Sequence, residues 1–448
     1  MNRIRKWLLI LLSFGVVGGS YAQEELTLGE AIQYALKNKA DAKKSQLDVI
    51  NAENKISEVR ANALPQINLS AGLTYNPIIQ KIALPDFTGQ NGGNPSLVEM
   101  GQKWQATPTI SLTQQIFNQS VFTGLKAAST TRAFYQINHE LTEEQLIERV
   151  ANSYYDVYQS KLELATIETN LQNTTKTRDV IDGLYKNGLA KKIDLDRTNV
   201  AVNNLESSKQ QMINAIQLKE NALKFVIGMD VTKEISMPKN TFEIDLAKAL
   251  VDTSSLDSRT EVKLLETQKQ LLGYNKKSIE AQYYPTLSLN ANYGYTGFGQ
   301  QFPIFNSGPS INWANFSTIG VNLSFPIFTG YATRSKVRQA QIDIDKVSVD
   351  IEDTKLGLLL ASENAKKQLK NSLLTINAQS DNVKLAKEVL FNVENNYKNG
   401  LATLTDLLDA EKSYAEAQNS YSTALLNYKV AEIQIIKSNG NLKSLINE

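Results

Sequence analysis

Tyr397–Ala410 reads YKNGLATLTDLLDA, and Tyr185–Thr198 reads YKNGLAKKIDLDRT. The six residues at the head of the two stretches are identical, and an Asp-Leu pair follows in each, Asp406-Leu407 and Asp194-Leu195. Segments of helical period flank both copies. Gly188 and Gly400 therefore read as the glycines that end one helix, and the residues behind them as the first turn of the next. The chain is read as two similar halves, each with a sharp helix-to-helix turn at one end.

The residues ahead of the first half bear on compartment. Arg3, Arg5 and Lys6 precede an apolar run from Trp7 to Val17, and Gly18, Gly19, Ser20, Tyr21 and Ala22 follow it. A charged segment, a short apolar core and a small-residue end make a secretory leader over 1–22, with cleavage expected after Ala22. The chain has no cysteine, so neither a disulfide framework nor a lipid-modified N-terminal cysteine is expected. Its 47 basic and 46 acidic residues give a formal net charge of +1, and loss of the leader leaves a slightly acidic chain. That balance offers nothing to nucleic acid. No later stretch approaches roughly 18 consecutive apolar residues, so membrane residence has to come through a β-barrel.

The first structural repeat, 23–228, opens with a helical pattern from Leu26 to Ala61, with Thr27 as N-cap and Glu30 three residues on. The helix ends before Pro65. A period of two replaces it: Ile67, Leu69, Ala71, Leu73 and Tyr75 alternate with Gln66, Asn68, Ser70, Gly72 and Thr74, a strand over about 66–76. A Pro-, Gly- and Asn-rich loop, 76–103, leads to a second strand over about 104–118. A proline-free helix from Val121 to Lys186, roughly 100 Å long at the standard rise, reaches the first turn, and a return helix runs from Ile193 to Ile227. Residues 229–255, with Pro238, break the pattern and read as a junction. The second repeat, 256–448, then restates the order: helix to Tyr284-Pro285, strands over about 286–296 and 317–329, a long helix, the second turn and a last helix.

Four strands each carry one apolar face and one Asn/Ser/Thr/Gly face. A soluble sandwich and an outer-membrane barrel both satisfy that alternation. The leader, strands of about ten residues as a tilted span needs, and the length of the helices favour the barrel. Four strands cannot close one, so several chains contribute, and a dimer or a trimer would serve.

The duplicated order of helix, strand pair, long helix, glycine turn and helix resembles the TolC family of outer-membrane efflux and secretion channels. The resemblance is carried by LGEAIQYALKN (28–38), ALPQINLSAGLTY (63–75), LTQQIFN (112–118), FPIFTG (325–330) and the two YKNGLA turns. It implies a mainly α fold with β, in which a homotrimer builds a twelve-stranded transmembrane β-barrel continued by a long periplasmic α-helical barrel. It implies a passive conduit in the outer membrane that serves a tripartite efflux pump or a type I secretion system. The partners would be a periplasmic adaptor (membrane fusion protein), an inner-membrane transporter and outer-membrane lipid. No cofactor or metal is called for.

The same resemblance assigns residues. Asp406 and Asp409, at i and i+3 on one helix face, match the acidic ring of the periplasmic aperture. Tyr397 and Asp194 match positions that hold the entrance closed, although the arginine five residues after the tyrosine in some members is Ala402 here, with Lys191 and Lys192 as possible substitutes. Gly188, Leu189, Gly400 and Leu401 match the adaptor-docking turns. Asn68, Ser70, Ser288, Asn290 and Asn292 fall on the strand face that would line the lumen.

An enzyme lacks materials: the single histidine, His139, reads as a surface residue, and no nucleophile motif or phosphate loop stands out. The competing reading is a secreted structural or adhesive protein built from helical hairpins.

Overall fold

The computed structural model describes residues 25–85, 95–238, 255–303 and 311–447. The leader at 1–22 and the 239–254 portion of the junction lie outside the described residues. The chain groups into two compact units, Met1–Leu47 with Ile137–Lys263 and Glu352–Glu448, and Asp48–Gln136 with Leu264–Ile351. Each unit thus draws on both sequence repeats.

The helices are α1 (Leu28–Asn38), α2 (Ala40–Ala61), α3 (Gln119–Lys186), α4 (Lys192–Ile227), α5 (Thr260–Glu280), α6 (Ala332–Lys398) and α7 (Leu404–Ser438). In α1 the expected capping box forms: the Glu30 amide donates to Thr27 Oγ1 at 3.2 Å and the Thr27 amide to Glu30 Oε2 at 2.9 Å. Its buried Leu28, Ala31, Ile32 and Ala35 join Ile147, Val150, Ala151, Tyr154 and Val157 of α3, Leu223 and Ile227 of α4, and Ile433 of α7 in one core. Ile147, Ala151 and Tyr154, spaced at three and four, thus mark an interior face of α3.

The single helix expected over 26–61 is in fact two, broken at Lys39, whose backbone is extended. The break has a use. Lys39 Nζ donates to the Phe225 carbonyl in the last turn of α4 at 2.8 Å, and it lies 3.8 Å from the Phe225 ring centroid. The Phe225 carbonyl already accepts from the Gly228 amide at 3.2 Å; the cation adds a second, charged donor and meets the negative end of the helix dipole. The second repeat has the same device. Arg259, also extended, stands as far ahead of Pro285 as Lys39 does of Pro65, and its guanidinium donates to the Lys437 carbonyl in the last turn of α7. Gly228 closes α4 at φ 74°, and a Cβ on it would lie 3.1 Å from the Asn38 and Lys39 backbone.

In the other unit, β1 (Gln66–Tyr75), β4 (Trp104–Phe117), β5 (Thr286–Gly299) and β6 (Ile311–Ser324) make one antiparallel sheet in the order β1-β4-β5-β6. The inner pair, β4 and β5, joins the two repeats. Register runs Ile67↔Leu112↔Ala291↔Ile319 on one face and Asn68↔Ser111↔Asn292↔Thr318 on the other. The apolar row is bare to solvent at the sheet's edges: Ile67 is 67 % and Ile319 79 % exposed. Two glycines of β5 lie under cross-strand rings, Gly297 beneath Trp313 and Gly294 beneath Phe316, and a Cβ at either would fall within 3 Å of the ring. Bare glycine strand is covered by an aromatic in both cases.

Two differences from the sequence reading concern strands. β6 begins and ends earlier than 317–329, because its partner β5 starts only after Pro285; Ser324 pairs with Thr286, and FPIFTG lies beyond the ladder. The loop 76–103 contains a short hairpin, β2 (Lys81–Leu84) with β3 (Ser96–Glu99), whose four-residue strands are too short for a period to show.

The close approach at Gly228 predicts that Gly228→Ala lowers stability by about 1 kcal/mol or more, since it meets both a left-handed backbone and a backbone neighbour. Gly183→Ala, in α3 with open space around it, should instead stabilise by about 0.5–1 kcal/mol. Thermal melting of both variants beside the parent checks the pair.

Candidate functional site at the helix-turn tips

The two YKNGLA stretches fold alike. Gly188 (φ 76°) and Gly400 (φ 74°) take the left-handed region. The Gly188 amide donates to the Tyr185 carbonyl at 2.9 Å and that of Leu189 to Leu184 at 2.8 Å; the Gly400 amide donates to Tyr397 at 3.0 Å and that of Leu401 to Asn396 at 2.8 Å. This crossed pair closes the orphan carbonyls of a helix end. The apolar contact that often accompanies it is missing, because Leu189 is 75 % and Leu401 77 % exposed. Each tip therefore presents a bare leucine on a tight turn.

Beyond the turns the copies diverge. Thr403 caps α7: its hydroxyl accepts from the Asp406 amide at 3.2 Å, while its amide and hydroxyl donate to Asp406 Oδ2 at 2.8 and 2.7 Å. The hydroxyl bond and the backbone bond hold the Asp406 carboxyl below the usual carboxylate range. At the matching place in the first copy stands Lys191, which gives α4 no side-chain cap. Asp406 and Asp409, both exposed, line one groove between α6 and α7 with Gln379, Asn382, Ser413 and Glu416, about 590 Å³ in volume. They do share a face.

The structure also brings Tyr397 and Asp194 together. Tyr397 is half-buried, and its phenol is raised first by that burial and further by the charge of Asp194. Lys191 and Lys192 are exposed and form no ion pair with Asp194 among the described residues. The cross-repeat polar contact beside it is instead Arg197 Nη1 donating to Thr405 Oγ1 at 3.2 Å.

Sequence reasoning missed Glu411. Two residues past Asp409 it turns inward, 5 % exposed, and accepts from Thr174 Oγ1 at 2.7 Å and Thr177 Oγ1 at 3.2 Å on α3. Burial pushes its carboxyl up against the lowering effect of those two bonds. The signal was present: Leu404, Leu407, Glu411 and Tyr414 recur at three and four, a carboxylate inside an apolar stripe.

In the sheet, Asn68, Ser70, Ser288, Asn290 and Asn292 all fall on the polar face by register. His139 is half-buried, with Nδ1 2.7 Å from Ser45 Oγ and Nε2 3.4 Å from Glu143; it ties α3 to α2. Among the described residues no cluster of His, Cys, Asp or Glu is arranged to hold a metal ion, and no helix is long and apolar enough to cross a membrane.

The chain thus combines long paired helices joined by tight turns with a sheet apolar on one face and polar on the other. Residues 31–229 and 253–441 match the model of the outer membrane efflux protein family, and the chain belongs to that family. It is 22 % identical to outer membrane protein TolC of Salmonella enteritidis, over 98 % of this chain and 87 % of that protein. It is 24 % identical to outer membrane efflux protein BepC of Brucella suis, over 97 % and 89 %. Its fold superposes on the outer membrane protein VceC of Vibrio cholerae with a TM-score of 0.71 at 19 % identity, covering 92 % of this chain and 96 % of that one. The protein is an outer-membrane efflux channel and not an enzyme, which sets aside the adhesive reading.

Because the folded Asp406 carboxyl is depressed, its contribution to the start of α7 is present above the unfolded carboxylate range and is lost as pH falls through the lower folded value. Thr403→Val removes both hydroxyl bonds. It should speed amide hydrogen exchange in the first turn of α7 at neutral pH while leaving the first turn of α4 unchanged.

Proposed function

We propose that three copies of the chain form one conduit through the outer membrane, a passive path from a periplasmic adaptor and an inner-membrane transporter to the exterior. The observation that carries this reading is the open sheet. β1 and β6 end it with unpaired backbone and bare apolar side chains, and lipid offers no hydrogen bond to an edge. Pairing β6 of one copy with β1 of the next removes every edge, and three copies supply twelve strands, within the range of membrane barrels. Repeats 23–228 and 256–448 then each contribute two strands and one helical hairpin per copy. The polar rows of Asn68, Ser70, Ser288, Asn290 and Asn292 face the lumen.

In this reading the tips are the periplasmic entrance. Asp406 and Asp409 from three copies make a carboxylate ring that favours cations and repels anions. Tyr397 and Asp194, with Arg197 and Thr405, hold the two hairpins of a copy together. The bare Leu189 and Leu401 on their glycine turns are the surface offered to the adaptor. A pump exporting small molecules and a type I system exporting polypeptides would use the same conduit.

The purified protein should run as a heat-modifiable trimer from the outer-membrane fraction; a monomer at all temperatures would overturn the assembly. In planar bilayers, Asp406→Ala with Asp409→Ala should weaken block by divalent cations, and unchanged block would remove the ring. Gly400→Trp should impair export in cells while trimer and localisation persist, whereas loss of the trimer would leave the turn a purely structural role.

A further inference from the structure

Two sets of hydrogen bonds tie the second-repeat hairpin to the first near the tips, Arg197 to Thr405 and Thr174 and Thr177 to Glu411, and the charge of Asp194 is felt at Tyr397. They are not equivalent. Arg197 and Thr405 are exposed, and Tyr397 is half-buried, so water can replace what they lose. Glu411 at 5 % and Thr174 at 2 % exposure have no such substitute; a buried carboxyl without its donors is left unsatisfied. Glu411 also sits half a turn from Asp409, so whatever fixes it fixes the two carboxylates of the groove.

We propose that Glu411 is the residue that positions the entrance segment of α7, and with it Asp406 and Asp409, by a buried carboxyl clasp on Thr174 and Thr177 of α3. The inference rests on the reading of Asp406 and Asp409 as an aperture. Separating the hairpins breaks the clasp and wets Glu411; closing them dries it. Glu411 also lines a cavity of about 440 Å³, through which water and protons reach the carboxyl once the clasp opens. The charged and titratable groups that face this cavity are Lys176 of α3 and Glu394, Tyr397 and Lys398 of α6. Neither lysine pairs with Glu411 among the described residues, and Glu394 repels its charge.

Proton linkage follows from the burial. The clasped carboxyl is raised above its free value, so the clasp is fully present below the ordinary carboxylate range and weakens as pH rises through the raised value. Glu411→Gln keeps a donor and an acceptor for the two threonines and cannot ionise. Glu411→Ala leaves both threonines unpaired.

The test is conductance of the full-length channel in planar bilayers over a pH series starting near the free carboxylate value, about 4.3. Wild type should conduct more as pH rises above that value. Glu411→Gln should stay low and lose this component. Glu411→Ala should conduct strongly throughout, its closed-to-open ratio reduced on the order of tenfold. If Glu411→Ala gives no trimer, Glu411→Gln decides alone. A wild-type slope retained in Glu411→Gln, or wild-type conductance in Glu411→Ala, overturns the clasp while the aperture stands. Failure of wild type to form any pore overturns the aperture and the clasp with it.

Discussion

An unpaired strand edge in lipid is the constraint on which the rest of this structure depends. Each backbone amide or carbonyl left without a partner in hydrocarbon costs several kcal/mol, and β1 and β6 each present a row of them. The sheet also wears its apolar side chains on the outside, where a soluble protein would bury them. A single copy in water is therefore wrong on two counts, one polar and one apolar, and both are relieved by the same surroundings. The order β1-β4-β5-β6 matters here. By pairing the repeats through β4 and β5, the chain leaves one edge from each repeat, β1 from the first and β6 from the second.

The helical part shows the duplication more closely than the sequence does. Lys39 and Arg259 are different residues in dissimilar stretches, yet each breaks its helix with one extended residue and sends a cation to the last turn of its own repeat's return helix. What the two halves keep is the electrostatic cap, with either basic side chain able to supply it. Gly228 and Gly440 both take the left-handed region beyond those helices, at φ 74° and 70°. The crowding is unequal, since only Gly228 meets backbone at 3.1 Å.

The order of elements was legible because the signals are local and strong: a period of two against a period of three to four, Pro65 and Pro285 as stops, glycine at each turn. Ile147, Ala151, Tyr154 and Tyr158 of α3, which lie in the core, recur at three and four in the same local way. The break at Lys39 was not legible, since its cause is a carbonyl 186 residues away. The β2–β3 hairpin was missed because two strands of four residues hardly register as a pattern. At the tips the sequence exposes charge and turn chemistry but hides direction. Asp409 and Glu411 look alike in a list of acids; one faces a wet groove and the other a pair of threonines, and only the neighbouring helix separates them.

The two tips show how a duplicated segment can divide its labour. Asp194 and Asp406 occupy the same place in the repeat, yet a single difference three residues earlier, Lys191 against Thr403, changes what each carboxylate is free to do. Thr403 occupies Oδ2 of Asp406 with two bonds, so this residue secures the start of α7. Asp194 has no capping partner to hold it, and its charge is felt instead by Tyr397 across the repeats. The free carboxylate of the second tip is then Asp409, which stands on a helix start made rigid by its neighbour. The capping is done by one aspartate, and the other stays exposed in the groove.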